Sequence, residues 1–267
     1  MRSIAWGAAA SLALVATAVP ALADDHTSQV SVLHGVPGLT VDVWVNGEAF
    51  LPGFEPGTLT DPQALPAGTY DIEVFAAGAD PETEDPAISA EGLEVPGGAN
   101  LTLAAHLDAE GTPMLSAFVN DVSMLEAGQT RLTVRHAAAA PAVDVLAGGS
   151  PVIEGLENPD EAVLELDAGS VEAAVAAAGT TDPVIGPATL DLPEGVNTIV
   201  YAWGSLEDDT LDLAVQSIDG LHGEPAGVPS GEGGLVDGGV QAWMLVLAMA
   251  GAAGAVVAGR RLVQNAA

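Results

Sequence analysis

Residues 32–47 read VLHGVPGLTVDVWVNG, and residues 134–149 read VRHAAAAPAVDVLAGG. At a spacing of 102 positions the first valine, the histidine, the Val-Asp-Val triplet and the final glycine all recur. The match continues at a spacing of 101 from residues 65–78 and at a spacing of 97 from residues 86–100. Surface loops tolerate small changes of length, so the sequence predicts two homologous domains in tandem.

Each copy consists of short runs of β-forming residues separated by Gly, Pro and Asp turns. In Thr69-Tyr-Asp-Ile-Glu-Val-Phe75 apolar and polar residues alternate, and Asn46-Gly47 is a strong hairpin-turn signal. The alanine-rich run 171–178 would suit a helix, but it matches the strand-like residues 70–77, so we predict strands in both copies. Six or seven strands in about 100 residues predict an all-β fold of two tandem immunoglobulin-like antiparallel β-sandwich domains.

Both ends of the chain carry membrane signals. Arg2, an apolar run and the small-residue exit Ala21-Leu22-Ala23 predict a secretory signal peptide that is cleaved after Ala23. Residues 240–259 contain no charge and are long enough to cross a bilayer as a helix, and Arg260 and Arg261 follow on the predicted cytoplasmic side. The alternatives are an uncleaved N-terminal anchor, a buried C-terminal helix, and a tail that a sortase-like enzyme processes.

These signals predict a single-pass type I protein of the cell membrane, exported and with extracellular repeats. The predicted order is signal peptide 1–23, first repeat 24–128, second repeat 129–218, Gly/Pro-rich stalk 219–239, transmembrane helix 240–259 and cytoplasmic tail 260–267.

The exported part is strongly acidic. All 37 acidic residues lie between Asp24 and Asp237, against the two arginines Arg131 and Arg135, which gives that part a net charge of −35. Such a surface repels phosphate backbones, so we expect no nucleic-acid partner. Either adaptation to a saline exterior or cation binding accounts for the acidity. The absence of cysteine excludes disulfides and thiolate metal sites.

The segment from His34 through Val41-Asp42-Val43 to Gly47, and its twin from His136 through Val143-Asp144-Val145, resembles the opening motif of domain of unknown function 4397 (DUF4397). Leu65-Pro-Ala-Gly-Thr-Tyr70 is similar to a second recurring feature of that family. The resemblance spans approximately residues 28–218. It implies an extracellular, frequently repeated β domain in exported bacterial and archaeal proteins, and it carries no catalytic residues.

Two constellations could carry chemistry. His34 with Asp42, and His136 with Asp144, could meet across neighbouring strands, either as a base and its orienting carboxylate or as a structural hydrogen bond that satisfies buried polar groups. No nucleophile elbow or paired metal-ligand spacing accompanies them.

Acidic loops and aromatic residues supply weaker candidates. The acidic loop of Asp80, Glu82, Glu84 and Asp85 is a candidate Ca²⁺ site, although a solvated loop has the same composition. The acidic loop 207–209 is a second candidate Ca²⁺ site for the same reason. Trp44, Tyr70 and Trp203 could form a sugar-stacking platform, but aromatic residues are only 4% of the chain and we expect them in the cores.

The sequence therefore predicts a non-enzymatic cell-surface protein without a cofactor. Its two β-sandwich repeats would serve adhesion, envelope organisation or ligand binding, with an unknown extracellular ligand or surface protein as partner and the membrane contacted through the C-terminal helix. The alternative is a calcium-dependent extracellular binding module, and an enzyme ranks third.

Overall fold

The computed structural model describes residues 27–222, which contain sixteen β-strands and no helix. The prediction of an all-β fold is therefore confirmed. No helix within this range is long and apolar enough to span a membrane. The predicted signal peptide 1–23, transmembrane helix 240–259 and tail 260–267, and all but the first residues of the predicted stalk, lie outside the described residues.

The first repeat contains eight strands where the sequence predicts six or seven. Their bounds are β1 (Thr27–His34), β2 (Val41–Val45), β3 (Glu48–Phe54), β4 (Gln63–Pro66), β5 (Gly68–Ala76), β6 (Ile88–Val95), β7 (Asn100–Leu107) and β8 (Pro113–Val119).

The second repeat contains eight strands in the same order. Their bounds are β9 (Gln129–Ala139), β10 (Val143–Ala147), β11 (Ser150–Leu156), β12 (Glu161–Asp167), β13 (Gly169–Ala177), β14 (Pro183–Leu192), β15 (Asn197–Ser205) and β16 (Asp212–Ile218). The alanine-rich run of the second copy forms strand β13, as its match to β5 predicts.

Each repeat is built from two four-stranded sheets. Outer sheet 1 has the order β3-β2-β5-β6 and inner sheet 1 the order β4-β1-β7-β8. Outer sheet 2 (β11-β10-β13-β14) and inner sheet 2 (β12-β9-β15-β16) repeat these orders in the second copy. The equivalence of the two topologies is what a duplicated sequence requires.

The strand arrangement differs from the predicted immunoglobulin type in two respects. An immunoglobulin sandwich of constant type pairs the strands of one sheet as 1-2-5-4 and those of the other as 3-6-7, which is not the order found here. Moreover, β1 pairs with β7 and β9 pairs with β15 in parallel, whereas every other pairing of named strands in the described range is antiparallel. Each parallel pair joins the first strand of a repeat to its seventh. The two central strands of each inner sheet are therefore far apart in the sequence.

The β2–β3 hairpin shows how local sequence sets this arrangement. Asn46 and Gly47 both adopt positive φ, 51° and 77°, as a two-residue turn with the twist of the flanking strands requires. Beyond the turn, the register of β2 against β3 shifts between Val41 and Val43. This bulge leaves Asp42, the residue between the two valines, without a partner on β3.

A hydrophobic core lies between the two sheets of each repeat. In the first repeat, Val32 and Leu103 of inner sheet 1 pack with Val43 and Val74 of outer sheet 1. In the second, Val134 and Val200 pack with Val145 and Val175. A fully buried Val or Leu side chain contributes about 1.5–3 kcal/mol. Each repeat thus has an apolar interior of its own.

A third core joins the two repeats across their inner sheets. Leu33, Ala104 and Phe118 of the first repeat pack against Ile199, Tyr201 and Trp203 of the second. Because both faces of the inner sheets are covered, all nine residues of β15 are buried. Gly57 shows how close the approach is, since a Cβ atom at this residue would lie 2.8 Å from the Trp203 ring. Both repeats consequently belong to one compact unit.

Candidate functional site

The aspartate of each Val-Asp-Val motif binds two backbone N–H groups. Asp144 Oδ1 accepts a hydrogen bond from Gly155 N–H, and Oδ2 accepts one from Gly179 N–H, both at 2.7 Å. Gly155 lies in β11 and Gly179 follows β13, the two neighbours of β10. The side chain is 5% exposed. Asp144 therefore links three strands of outer sheet 2 at one point.

Asp42 makes the same contacts in the first repeat. Its Oδ1 accepts from Gly53 N–H at 2.6 Å and its Oδ2 from Gly78 N–H at 2.9 Å. These bonds, that of Gly78 first, lower the pKa of Asp42 below its ordinary value. Val41 and Val43 point into the core while Asp42 points to the other face, so the motif combines core packing with a carboxylate clamp.

The histidine of each motif shapes the loop that leads to the Val-Asp-Val strand. His34 Nε2 lies 2.8 Å from Leu39 O, and Val36 N–H donates to Nδ1 at 3.4 Å. A carbonyl only accepts and a backbone N–H only donates, so the ring is neutral with its proton on Nε2. Burial lowers the pKa of His34, which favours the same neutral form.

His136 repeats this arrangement in the second copy. Its Nε2 lies 3.0 Å from Pro141 O, and Ala138 N–H donates to Nδ1 at 3.3 Å. Burial likewise lowers the pKa of His136. Both nitrogens of each ring are occupied by backbone groups, so neither ring has a lone pair free to take a proton from a substrate.

The expected pairing of histidine with aspartate is not found. His34 and Asp42 form no hydrogen bond with each other, and neither do His136 and Asp144; all four side chains bind backbone groups instead. The prediction that these residues meet is wrong because backbone groups already satisfy the hydrogen-bonding atoms of all four side chains. In both repeats these side chains hold the backbone in place, the histidine at the loop and the aspartate at the bulge.

The acidic loop after β5 is organised by its own backbone. Glu82 N–H donates to Asp80 Oδ1 and Asp80 N–H donates to Glu84 Oε1, both at 3.1 Å. Asp85 makes no side-chain hydrogen bond in the described structure. Within residues 27–222 no group of three or more His, Asp or Glu side chains is arranged to hold a metal ion. The geometry thus gives the calcium alternative no support at this loop.

The predicted aromatic platform is not assembled. Trp203 is buried at the contact between the repeats, whereas Trp44 packs edge-on against Phe75 with ring centroids 6.4 Å apart. The Tyr70 hydroxyl donates to Pro66 O at 2.8 Å. The three rings serve separate packing sites, so they offer no common face to a sugar.

A buried polar network across the repeats is the main feature that sequence reasoning missed. Tyr201 O–H donates to Gln216 Oε1 at 2.7 Å, and Thr102 Oγ1–H donates to the same oxygen at 2.9 Å. Gln216 Nε2 in turn donates to Ser31 Oγ at 3.3 Å. Thr102 and Ser31 belong to the first repeat, so the hydrogen bonds cross the contact between the repeats. Burial raises the pKa of Tyr201.

Arg135 extends this network and is 1% exposed. Its Nη1 donates to Tyr201 OH at 2.6 Å and its Nε to Glu161 Oε2 at 2.8 Å. The guanidinium carbon lies 4.4 Å from the centre of the Phe118 ring of the first repeat. A buried charge needs partners on all sides, and here both repeats supply them.

Arg131, four residues earlier on the same strand, is 2% exposed and pairs with Glu165 at 2.9 Å and Asp121 at 3.2 Å. Arg131 and Arg135 are the only Lys or Arg residues within residues 27–222. The described part of the surface therefore displays acidic side chains without any exposed Lys or Arg. The sequence signal for this burial is the position of both arginines inside a β-branched, apolar run.

Each sandwich also encloses unfilled apolar space. The first repeat has a cavity of about 110 Å³ that reaches the edge strands β3 and β4 at Phe50 and Gln63. The second has a cavity of about 170 Å³ bordered by β14 and β16 on the opposite edge of the sandwich. Neither cavity was predicted, because the volume between two sheets depends on their spacing as well as on the side chains.

Comparison with protein families identifies a match to part of the chain. The family model described as "Domain of unknown function (DUF4397)" matches residues 28–146, which cover the first repeat and the second repeat as far as the Val-Asp-Val strand β10. A search of curated proteins gives no match to the chain. The chain is thus DUF4397-like over residues 28–146, and the family resemblance predicted from the His and Val-Asp-Val motifs is confirmed over these residues. Its extension to residue 218 stays a prediction.

Proposed function

We propose that the chain is a non-enzymatic cell-surface protein that presents its two repeats as one rigid binding unit. In this proposal the signal peptide 1–23 exports the chain, the helix 240–259 anchors it as a single-pass type I membrane protein, and the stalk 219–239 holds the repeats outside. The unit serves adhesion, envelope organisation or ligand binding towards an extracellular ligand or a surface protein.

The observation that carries the proposal is the contact between the repeats. A third apolar core and a hydrogen-bonded network unite the inner sheets, so both outer sheets face away from the contact. Rigid presentation of two outer faces is a property of binding modules, because it limits the entropy that is lost when a partner binds.

Two further observations support a role without catalysis. His34 and His136 have both ring nitrogens engaged by the backbone, and Asp42 and Asp144 have both carboxylate oxygens engaged. The side chains that would suit proton transfer thus serve as backbone clamps. The acidic exterior favours neutral or basic partners and disfavours nucleic acid.

Localisation is tested on intact cells of the source organism with an antibody against the repeats. External protease is expected to remove the repeats while a cytoplasmic marker survives, and a chain truncated after residue 239 is expected to appear in the medium. Protection of the repeats in intact cells, with digestion only after lysis, would contradict the proposed topology.

Binding is tested with a fragment of residues 24–222 immobilised as bait for surface extracts. We expect specific capture of an extracellular component that survives 0.5 M salt, because simple charge attraction is screened at that ionic strength. Hydrolysis of ester, peptide or glycoside substrates by the same fragment, lost on His34→Ala and kept on His222→Ala, would overturn the proposal. Stoichiometric micromolar Ca²⁺ binding that is lost on Asp80→Asn with Glu82→Gln would favour the calcium-dependent alternative instead.

A further inference from the structure

We propose that the second repeat contains a binding pocket for a small, neutral, apolar molecule between its two sheets. The pocket has a volume of about 170 Å³ and lies between inner sheet 2 and outer sheet 2. It reaches the surface between the edge strands β14 and β16, where Ala188, Thr189 and Val215 are exposed.

The lining determines the class of ligand. Its deep part is formed by Leu132, Val134, Val145, Val175 and Leu213, and Thr189 at the mouth is the only lining residue with a polar side chain. No charged side chain borders the space. An ion or a strongly hydrogen-bonding molecule would lose its hydration there without compensation. The pocket therefore suits a single aromatic ring or a short hydrocarbon chain.

Comparison with the first repeat shows why the space is open. Val45 pairs with Ile72 in outer sheet 1, and the equivalent pair in outer sheet 2 is Ala147 with Ala173. Two residues earlier on β5 and β13, Tyr70 faces Leu93 of β6 and Val171 faces Leu190 of β14. The first repeat thus places an isoleucine and a tyrosine where the second has an alanine and a valine.

These two differences remove side-chain volume from one side of the interior. Ile72 is buried in the first core and Tyr70 packs against it. In the second repeat Ala173 borders the pocket directly. Because a sandwich holds its sheets apart by many contacts, the deletion of two large side chains leaves space instead of a collapsed core.

The edge strands of the two repeats also differ in how closely they pack. In the first repeat β6 packs against β8 at this edge of the sandwich. The corresponding strands β14 and β16 make less extensive contact, and the pocket emerges between them. A ligand can therefore enter from the solvent without separation of the two repeats.

The volume is of the right order for such a ligand. Protein interiors hold few voids larger than a water molecule, and an engineered apolar cavity of about 150 Å³ lined by Leu, Ile and Phe side chains stays dry and binds benzene or xenon. An empty cavity also destabilises the fold, since its lining atoms lack packing partners on one side. An apolar occupant restores those contacts and is expected to stabilise the repeat.

The experiment uses residues 24–222, because residues 27–222 form one compact unit with its own cores. Toluene is titrated into the fragment, and the methyl signals of Ile185, Leu190 and Leu213 are followed by NMR. We expect saturable shifts at these methyls and a higher melting temperature with toluene. The double variant V171Y/A173I, which restores the side chains of the first repeat, is expected to weaken toluene binding at least tenfold.

The control is V152Y, which makes the same change from Val to Tyr at a residue that is 45% exposed on β11. It is expected to bind toluene like the wild type. If V171Y/A173I does not fold, A173I alone supplies the filling test. Y70V/I72A enlarges the cavity of about 110 Å³ that these two side chains line in the first repeat, and is expected to strengthen toluene binding there. The proposal is overturned if the wild type shows no saturable shifts, if the shifts map only to the first repeat, or if the filled variants bind with unchanged affinity.

Discussion

The carboxylate clamp of Asp144 gives the sharpest test of the structure. Substitution by asparagine keeps the shape of the side chain but leaves one acceptor oxygen for two N–H donors, those of Gly155 and Gly179. A hydrogen bond to a charged group contributes about 1.5–3 kcal/mol, and a buried N–H without a partner costs about 1–3 kcal/mol. These two contributions describe the same lost contact, so we expect Asp144→Asn to lower the free energy of unfolding by about 2–3 kcal/mol.

The assay is urea unfolding of residues 24–222, followed by tryptophan fluorescence and by circular dichroism. For a protein of this size about 1 kcal/mol corresponds to about 2–4 °C in melting temperature, so the variant is expected to melt about 5–10 °C lower. Asp42→Asn is expected to have a smaller effect, because Asp42 is less buried than Asp144 and water can reach the donor that it releases.

The matched control is Asp182→Asn, the same chemical change at an exposed turn residue that makes no side-chain hydrogen bond in the described structure. Surface substitutions of this kind usually change stability by less than about 0.5 kcal/mol. If Asp144→Asn is no more destabilising than Asp182→Asn, the clamp does not hold the strands together and our reading of the Val-Asp-Val motif is refuted.

Three further predictions concern pH, salt and the contact between the repeats. Burial lowers the pKa values of His34, His136 and His106, a buried residue of β7, below 6.5, so the unfolded chain takes up protons first as the pH falls. The urea midpoint should therefore be highest above that pH and fall below it, whereas a midpoint that stays constant down to about pH 5 would contradict neutral buried rings. Residues 27–222 carry 32 of the 37 acidic residues against two arginines, so the acidic side chains repel one another. Raising NaCl from about 0.1 to about 1 M shortens the Debye length from about 10 to about 3 Å and should therefore raise the melting temperature. A decrease of the melting temperature would show that this repulsion is unimportant. Arg135→Met should lower the free energy of unfolding by about 2–3 kcal/mol, since Glu161 and the Tyr201 hydroxyl lose their partner. Equal urea midpoints for Arg135→Met and the wild type would refute the network.

The duplicated sequence predicts most of the strands correctly, because matched positions in two copies constrain each other. The run 171–178 illustrates this: propensity favours a helix, but its partner 70–77 alternates as a strand does, and β13 is indeed a strand. Strand β3 has no clear strand signal in the sequence, because Pro52 and Gly53 interrupt its pattern. Proline and glycine are tolerated there because β3 is an edge strand with a bulge.

The strand order and the contact between repeats could not be predicted in the same way. Periodicity identifies which residues of a strand are buried, but not which strand is its neighbour, so the parallel pairing of β1 with β7 leaves no local signature. The nearly continuous small and apolar run of β15, from Asn197 to Ser205, does carry a usable signal: a strand without alternation is covered on both faces.

The sequence predicted the residues of the candidate site but not their hydrogen-bond partners. The recurrence of His34 and Asp42 as His136 and Asp144 correctly marks these positions as special. Their hydrogen-bond partners are backbone groups of Leu39, Gly53 and Gly78, which have no side-chain identity that a pairing rule could use. Prediction of the His–Asp contact failed because sequence patterns identify side chains, whereas both residues bind main-chain atoms.

The inner sheets are covered on both faces and the outer sheets on one, so the two kinds of sheet differ in the substitutions that they tolerate. A substitution in β7 or β15 has to fit two cores at once, so we expect large changes of side-chain volume there to destabilise both repeats. Each outer sheet packs against one hydrophobic core only. The outer sheets and their loops can therefore change in either repeat separately, without a change to the contact between the repeats.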